Sequence, residues 1–223
     1  MRALGLAGAT LCATSTATAK PELPSYSDAL IERTWGQLNQ RLEQLCQFDP
    51  TAQAVACTQD PQPLLEHVRS FQKHVVEDAS LTYLLGLGER YRGQEALARR
   101  HYLRALELDP LHTGAWHDLG ELYLIAGQFD RAHEAFEQVS KLHATGEACW
   151  IGPWRLAEIA AHRSDPSEFE SQMKEAIRRG FSFRQIDGLP NWKRFYLNPD
   201  LRRVIDKMIR VYGTRETLES LQP

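Results

Sequence analysis

Asp118 and Glu121 stand three apart in a stretch of helical periodicity, which sets two carboxylates one turn from each other. A carboxylate pair can divide acid and base work between its members. That chemistry also needs a base or a nucleophile beside the pair, and the sequence supplies none there. His112 and His117, the two histidines nearest in sequence, are five apart. On a helix that spacing turns them to different faces and argues against a shared metal ion, so neither a metal nor a cofactor is expected. The chain has no G-x-S-x-G elbow, no G-x-x-x-x-G-K-[ST] phosphate loop, no H-E-x-x-H pair and no C-x-x-C. Groups able to do chemistry are present without the spacing that would let them do it. The carboxylates are left without a catalytic role, and the expectation is a protein that is not an enzyme.

Cys46 and Cys57 enclose a polar, proline-containing stretch between two helical patterns. In an oxidising compartment they would form a disulfide across that loop. Otherwise they are two small buried apolar side chains. Cys149 is then an unpaired thiol, expected to be buried beside Trp150.

The elements that would position these residues repeat. Leu85-Gly86 aligns with Leu119-Gly120, Gly93 with Gly127, Ala98 with Ala132, Tyr102 with Phe136 and Leu108 with Leu142, all at an offset of 34. The second copy reads Trp116-x-x-Leu119-Gly120-x-x-Tyr123, followed by Ala132-x-x-x-Phe136. This pattern resembles the tetratricopeptide repeat (TPR) family, whose unit is a pair of antiparallel helices. Leu85, Gly86, Ala98, Tyr102, Ala105 and Pro110 carry the signature in the first copy. That copy departs from it at Thr82, where Trp is expected, and at Glu89, where Tyr is expected. A third copy, over 147–180, shows only through Leu156, Ala157, Ala160, Phe169, Met173 and Ala176, and it lacks the Leu-Gly pair.

What the resemblance implies is an all-α fold: a short right-handed superhelix of two clear repeats and one divergent repeat, with helical caps at both ends. The expected organisation is a signal peptide over 1–19, a helical hairpin cap over 20–78, the array over 79–180 (79–112, 113–146 and 147–180) and a capping segment with a final helix over 181–223. In TPR proteins the first helix of each repeat lines a concave groove. Carried onto this chain, the groove residues are Tyr83, Leu87 and Arg90, then His117, Asp118, Glu121 and Ile125, then Trp154 and Glu158. The Lys/Asn set with which some members clamp a terminal carboxylate is absent, since Gly114, His117 and Glu121 stand at such positions in the second copy.

Hydrophobic residues make up 43% and charged residues 25% of the 223, as in an ordinary globular chain, and the net charge is −3. So small a net charge creates no field that demands nucleic acid or membrane. The charge is uneven, however: Lys174–Arg210 carries ten Lys/Arg against four Asp/Glu, and Thr113–Glu147 carries two against six. The basic stretch would suit an acidic partner or an anionic surface better than nucleic acid. At the N-terminus, Arg2, an apolar stretch from Ala3 to Ala13 and Ala17-Thr18-Ala19 have the layout of a cleavable export signal. The expectation is an exported, periplasmic or extracellular adaptor that holds a protein partner in an envelope or secretion assembly. The alternatives are a cytosolic scaffold without a true signal and an accessory subunit of an enzyme complex.

Overall fold

In a computed structural model, residues 26–49, 54–74, 77–183, 190–216 and 219 are described. Residues 1–19, with the expected export signal, lie outside them. The described residues form ten helices and one two-stranded ribbon: α1 Tyr26–Leu45, β1 Cys46–Asp49, β2 Ala54–Cys57, α2 Gln62–His74, α3 Ala79–Tyr91, α4 Glu95–Leu108, α5 Thr113–Ile125, α6 Phe129–Leu142, α7 Ile151–His162, α8 Pro166–Arg178, α9 Pro190–Tyr196 and α10 Pro199–Tyr212. The fold class is all-α, as the repeat pattern implies. The ribbon is an addition, because the segment between Cys46 and Cys57 shows no alternation from which strands could be read. Its strands pair antiparallel with Cys46 opposite Cys57 and Gln47 opposite Ala56. The two cysteines are joined by a disulfide.

The chain divides into two compact units, 1–119 and 120–223, with the division inside α5. In the first unit α1, α2 and α3 share a core of Leu38, Leu42, Leu64, Leu65, Val68, Leu81, Leu84 and Leu85. In the second, an aromatic core of Trp150, Trp154, Phe169, Phe181, Phe183, Trp192, Phe195 and Tyr196 is closed by Leu201, Ile205, Met208 and Ile209 of α10.

The same helix-ending turn closes the first helix of each of the three pairs, and it recurs after α8, where the Phe181 N–H donates to the Ala176 carbonyl and the Gly180 N–H to the Ile177 carbonyl. After α3, the Gln94 N–H donates to the Glu89 carbonyl and the Gly93 N–H to the Arg90 carbonyl; after α5, Gln128 donates to Tyr123 and Gly127 to Leu124. After α7, Asp165 donates to Ala160 and Ser164 to Ala161. This double bond is the Schellman motif, which puts its fifth residue in the left-handed region. Gly93 and Gly127 take it with φ of 74° and 70°, and Ser164 takes it with φ of 56°. The third helix pair is therefore built like the first two, but its turn comes 37 residues after the second rather than 34 and has a serine where glycine is expected.

Side-chain caps set other boundaries. The Asp78 carboxylate accepts from the Leu81 N–H and starts α3, and Asp165 does the same for α8 ahead of Pro166. Asn198 caps α10 ahead of Pro199.

Candidate protein-binding site

Where the first helix of each of the two clear repeats crosses the second, a glycine faces an aromatic ring. A β-carbon on Gly86 would stand 2.4 Å from Tyr102 Cε1, and one on Gly120 would stand 2.9 Å from Phe136 Cζ. Both distances are below van der Waals contact, so only glycine lets the ring lie against the helix backbone. Ala98, Tyr102, Ala105, Ala132 and Phe136 are fully buried, and Leu85 and Leu119 nearly so. Trp116 and Tyr123 are half-buried, the Trp116 Nε1–H donating to the Pro110 carbonyl at 2.9 Å.

The positions that depart from the repeat pattern have partners that the local sequence does not announce. Glu89, 1% exposed, pairs with Arg69 of α2 at 2.5 Å and with Arg92 at 2.8 Å. Thr82 receives a hydrogen bond from Gln72 Nε2 at 3.0 Å. Polar contacts thus tie α2 to α3 where a Tyr and a Trp would otherwise pack. The long separation between partners hides such pairs, although a charged residue at a core position is itself the signal to look for one.

In the first unit the expected groove residues converge on Asp118. Its carboxylate accepts from the Tyr83 hydroxyl at 2.8 Å and from Arg90 Nη1 at 3.0 Å, and His117 Nδ1 lies 3.1 Å away. Burial alone would raise the pKa of Asp118. The His117 hydrogen bond, the Arg90 charge and the Tyr83 hydrogen bond outweigh it and hold the pKa below the usual carboxylate value. Burial and the Asp118 charge push the Tyr83 hydroxyl well above its ordinary value, so it stays protonated and donates. The Tyr83 ring also packs against His112, centroid to centroid at 4.7 Å. Asp118 is buried, while Tyr83, Leu87, Arg90 and His117 are half-buried.

In the second unit Glu121, Arg155 and Glu158 form a buried charged triad. Arg155 Nε lies 2.6 Å from Glu121, Arg155 Nη1 donates to Glu158 at 2.5 Å, and the guanidinium stacks 4.2 Å from the Trp154 ring centre. Trp154 is buried too, against Trp150 and Phe181. Ile125 is exposed. Of the nine expected groove residues, then, four (Asp118, Glu121, Trp154 and Glu158) are buried and hold the helices rather than presenting themselves to solvent. Helical spacing assigns a residue to a face but does not say whether a side chain from another repeat covers it.

His112 and His117 are not brought together as ligands: His112 Nδ1 accepts from the Ala115 N–H at 3.1 Å, and His117 faces Asp118. Among the described residues no group of three His, Cys, Asp or Glu side chains could hold a metal ion, and no helix is long and apolar enough to cross a membrane. Cys149 is buried.

Paired antiparallel helices, a glycine–aromatic crossing repeated at an interval of 34 and a recurring turn define a helical-repeat protein of the tetratricopeptide class. The tetratricopeptide repeat family matches residues 101–134, from α4 through α5 into α6. Tetratricopeptide repeat protein 37 of Xenopus laevis is 29% identical over 114 residues, a match that takes in 48% of this chain and 7% of that protein. Two solved structures of a Podosopora anserina kinesin light chain with nearly identical TPR-like repeats superpose with a TM-score of 0.54 at 16% identity. They cover 90% and 89% of this chain and 95% of their own. That likeness is one of fold. Residues 101–134 carry a tetratricopeptide repeat, within a fold like that of other TPR-repeat structures.

Proposed function

We propose that the chain is a protein-binding scaffold, without catalysis of its own, which works outside the cytoplasm in an envelope or secretion assembly. The observation that carries the binding role is the set of side chains fixed by Asp118. Binding costs less when the contacting groups are already ordered, and Tyr and Arg are among the residues that most often dominate interfaces. Tyr83, Arg90 and His117 are held by one buried carboxylate and still keep part of their surface in solvent, with Leu87 half-buried on the same helix as Tyr83 and Arg90. In the second unit the exposed apolar Ile125 is the corresponding contact. The Cys46–Cys57 disulfide supports the assignment to an oxidising compartment.

A photo-crosslinking residue placed at Leu87 or at Ile125 tests the binding faces in the native cell, with Leu103 on α4 as the control. Adducts to a shared partner are expected from the first two positions and not from the third. Equal labelling at Leu103 would sink the assignment. Export has its own test, since N-terminal sequencing of the purified protein is expected to begin at Lys20, and an intact Met1 would favour the cytosolic scaffold instead.

A further inference from the structure

The polar face of α10 repeats a cation at every turn. Arg203, Lys207 and Arg210 follow one another at spacings of four and three, which stacks them along one side of the helix. The opposite side, with Leu201, Ile205, Met208 and Ile209, is buried in the core of the second unit, so the cations face outward and α10 cannot roll over. Arg203 and Lys207 are exposed, and Arg210, exposed as well, makes no ion pair among the described residues. Lys207 pairs with Glu170 at 2.8 Å and Arg203 with Asp200 at 3.4 Å, but exposed pairs of this kind contribute little and exchange readily for another anion. Asp206 stands next to this row, between Arg203 and Arg210, with its carboxylate accepting from the Tyr196 hydroxyl at 2.6 Å. Over 190–212 the chain has six Lys/Arg against two Asp.

Two large apolar side chains lie exposed at the two ends of this stripe: Leu197 (66%) in the turn before α10 and Val211 (66%) at its end. At about 1.5 Å per residue, the ends of the 14-residue helix are roughly 20 Å apart. A row of cations bracketed by apolar side chains is what a planar anionic bilayer accommodates. Lys and Arg lay their stems along the interface with their charges at the phosphates, and the flanking side chains enter the headgroup layer. An acidic polypeptide would satisfy the cations and leave the flanking apolar groups without a role.

We propose that the outer face of α10, through Arg203, Lys207 and Arg210 with Leu197 and Val211 at its ends, docks the protein onto a phospholipid surface rich in anionic headgroups. The docking is peripheral and independent of the partner-binding faces of the repeats.

Co-sedimentation of the full chain with vesicles tests this, comparing phosphatidylcholine vesicles that contain about a third phosphatidylglycerol with pure phosphatidylcholine vesicles. Binding is expected to the anionic vesicles alone and to fall as salt rises through the range in which surface charges are screened. The Arg203→Gln/Lys207→Gln/Arg210→Gln variant is expected to bind about a hundredfold more weakly, since each surface cation is worth a factor of about five against an anionic leaflet. Leu197→Ser/Val211→Ser should weaken binding several-fold with its salt dependence unchanged. Both variants share the N-terminus of the parent chain, so any lipid affinity of residues 1–19 cancels, and unchanged far-UV circular dichroism establishes that they are folded. Vesicle binding by the glutamine variant within twofold of the parent overturns the proposal. So does capture by immobilised polyglutamate without binding to anionic vesicles, which would make the stripe a site for an acidic protein.

Discussion

The Tyr83 hydroxyl donates to Asp118 over 2.8 Å, joining α3 of one repeat to α5 of the next. The two residues are 35 apart in sequence, and the bond holds an ionised carboxylate that is 7% exposed. A hydrogen bond to a charged group contributes about 1.5–3 kcal/mol, more than a neutral one, because the ion has so much solvation to recover. Tyr83→Phe should therefore lower the stability by about that amount while leaving the ring packed on His112. Urea unfolding of Tyr83→Phe, Asp118→Asn and the double variant measures it. The double variant should cost less than the sum of the two singles, and strict additivity would mean that the bond does not form in solution.

His112 makes the stability depend on pH near neutrality. Its Nδ1 accepts from the Ala115 N–H in the first turn of α5 and can do so only while that nitrogen is unprotonated. Burial, the largest influence, lowers its pKa below the usual 6.5. The unfolded chain then takes up the proton before the folded one does. The contribution is complete above pH 6.5 and is lost as the pH falls through the interval down to the folded value. Burial lowers His101, His143 and His162 in the same sense. The melting temperature should fall between about pH 7.5 and about pH 5.5, and His112→Ser, which can still cap the helix, should flatten only part of that slope. A melting temperature constant over this range would contradict the assignment.

The glycine–aromatic crossings give a matched pair of substitutions. Gly120→Ala puts a β-carbon against the Phe136 ring, and Gly86→Ala puts one against Tyr102. Overpacking of this kind costs about 1–3 kcal/mol. Phe136→Leu should itself destabilise but recover part of the loss in the Gly120→Ala background, whereas the Gly93 position, open to solvent, offers no such rescue. Thermal melts of the two single variants and the double variant test the coupling. Ala132→Leu, at another fully buried crossing residue, should behave like Gly120→Ala, and Gln128→Ala should be much milder.

These crossings are legible in the sequence because a glycine and an aromatic residue recurring at one fixed offset mark a place where a ring meets a bare helix backbone. The third helix pair is faint for a physical reason: Ser164 fills the left-handed position of its turn, and the 37-residue step breaks the register that makes the first two copies visible. The ribbon at Cys46–Asp49 and Ala54–Cys57 is hidden because four-residue strands give too little alternation to detect. The burial of Asp118, Glu121, Trp154 and Glu158 is hidden in a different way. Tyr83 and Arg90 reach Asp118 from 35 and 28 residues away, and Arg155 reaches Glu121 over a similar separation. No local pattern encodes such a meeting.

The disulfide should matter mainly through the unfolded chain. Cys46 and Cys57 are separated by 11 residues, and closing a loop of that size is worth about 2–3 kcal/mol. The bridge lies at the end of α1, and Cys46 belongs to the core that α1 shares with α2 and α3. Cys46→Ala/Cys57→Ala should therefore lower the urea midpoint, and dithiothreitol should do the same to the parent chain but not to the variant. A midpoint insensitive to dithiothreitol in the parent would mean that the two thiols are not joined in the isolated protein.

Arg155 gives the sharpest test of how the second unit is held. It is the cation between Glu121 and Glu158, and all three are buried. Removing one member of a buried charged set costs about 3–5 kcal/mol, because the desolvated charges left behind lose the ion that compensated them. Arg155→Met keeps most of the side-chain volume and should destabilise by that amount, with the two carboxylates now facing each other across the vacated position. Adding Glu121→Gln and Glu158→Gln removes those charges and should restore much of the loss, since an ion pair replaced as a whole by uncharged groups of similar size is often close to neutral. Urea unfolding of the single and triple variants separates the two effects. If Arg155→Met costs less than about 1 kcal/mol, the magnitude of an exposed pair, then Glu121 and Glu158 are open to water and can meet a cationic partner, as their positions on the first helix of each repeat imply.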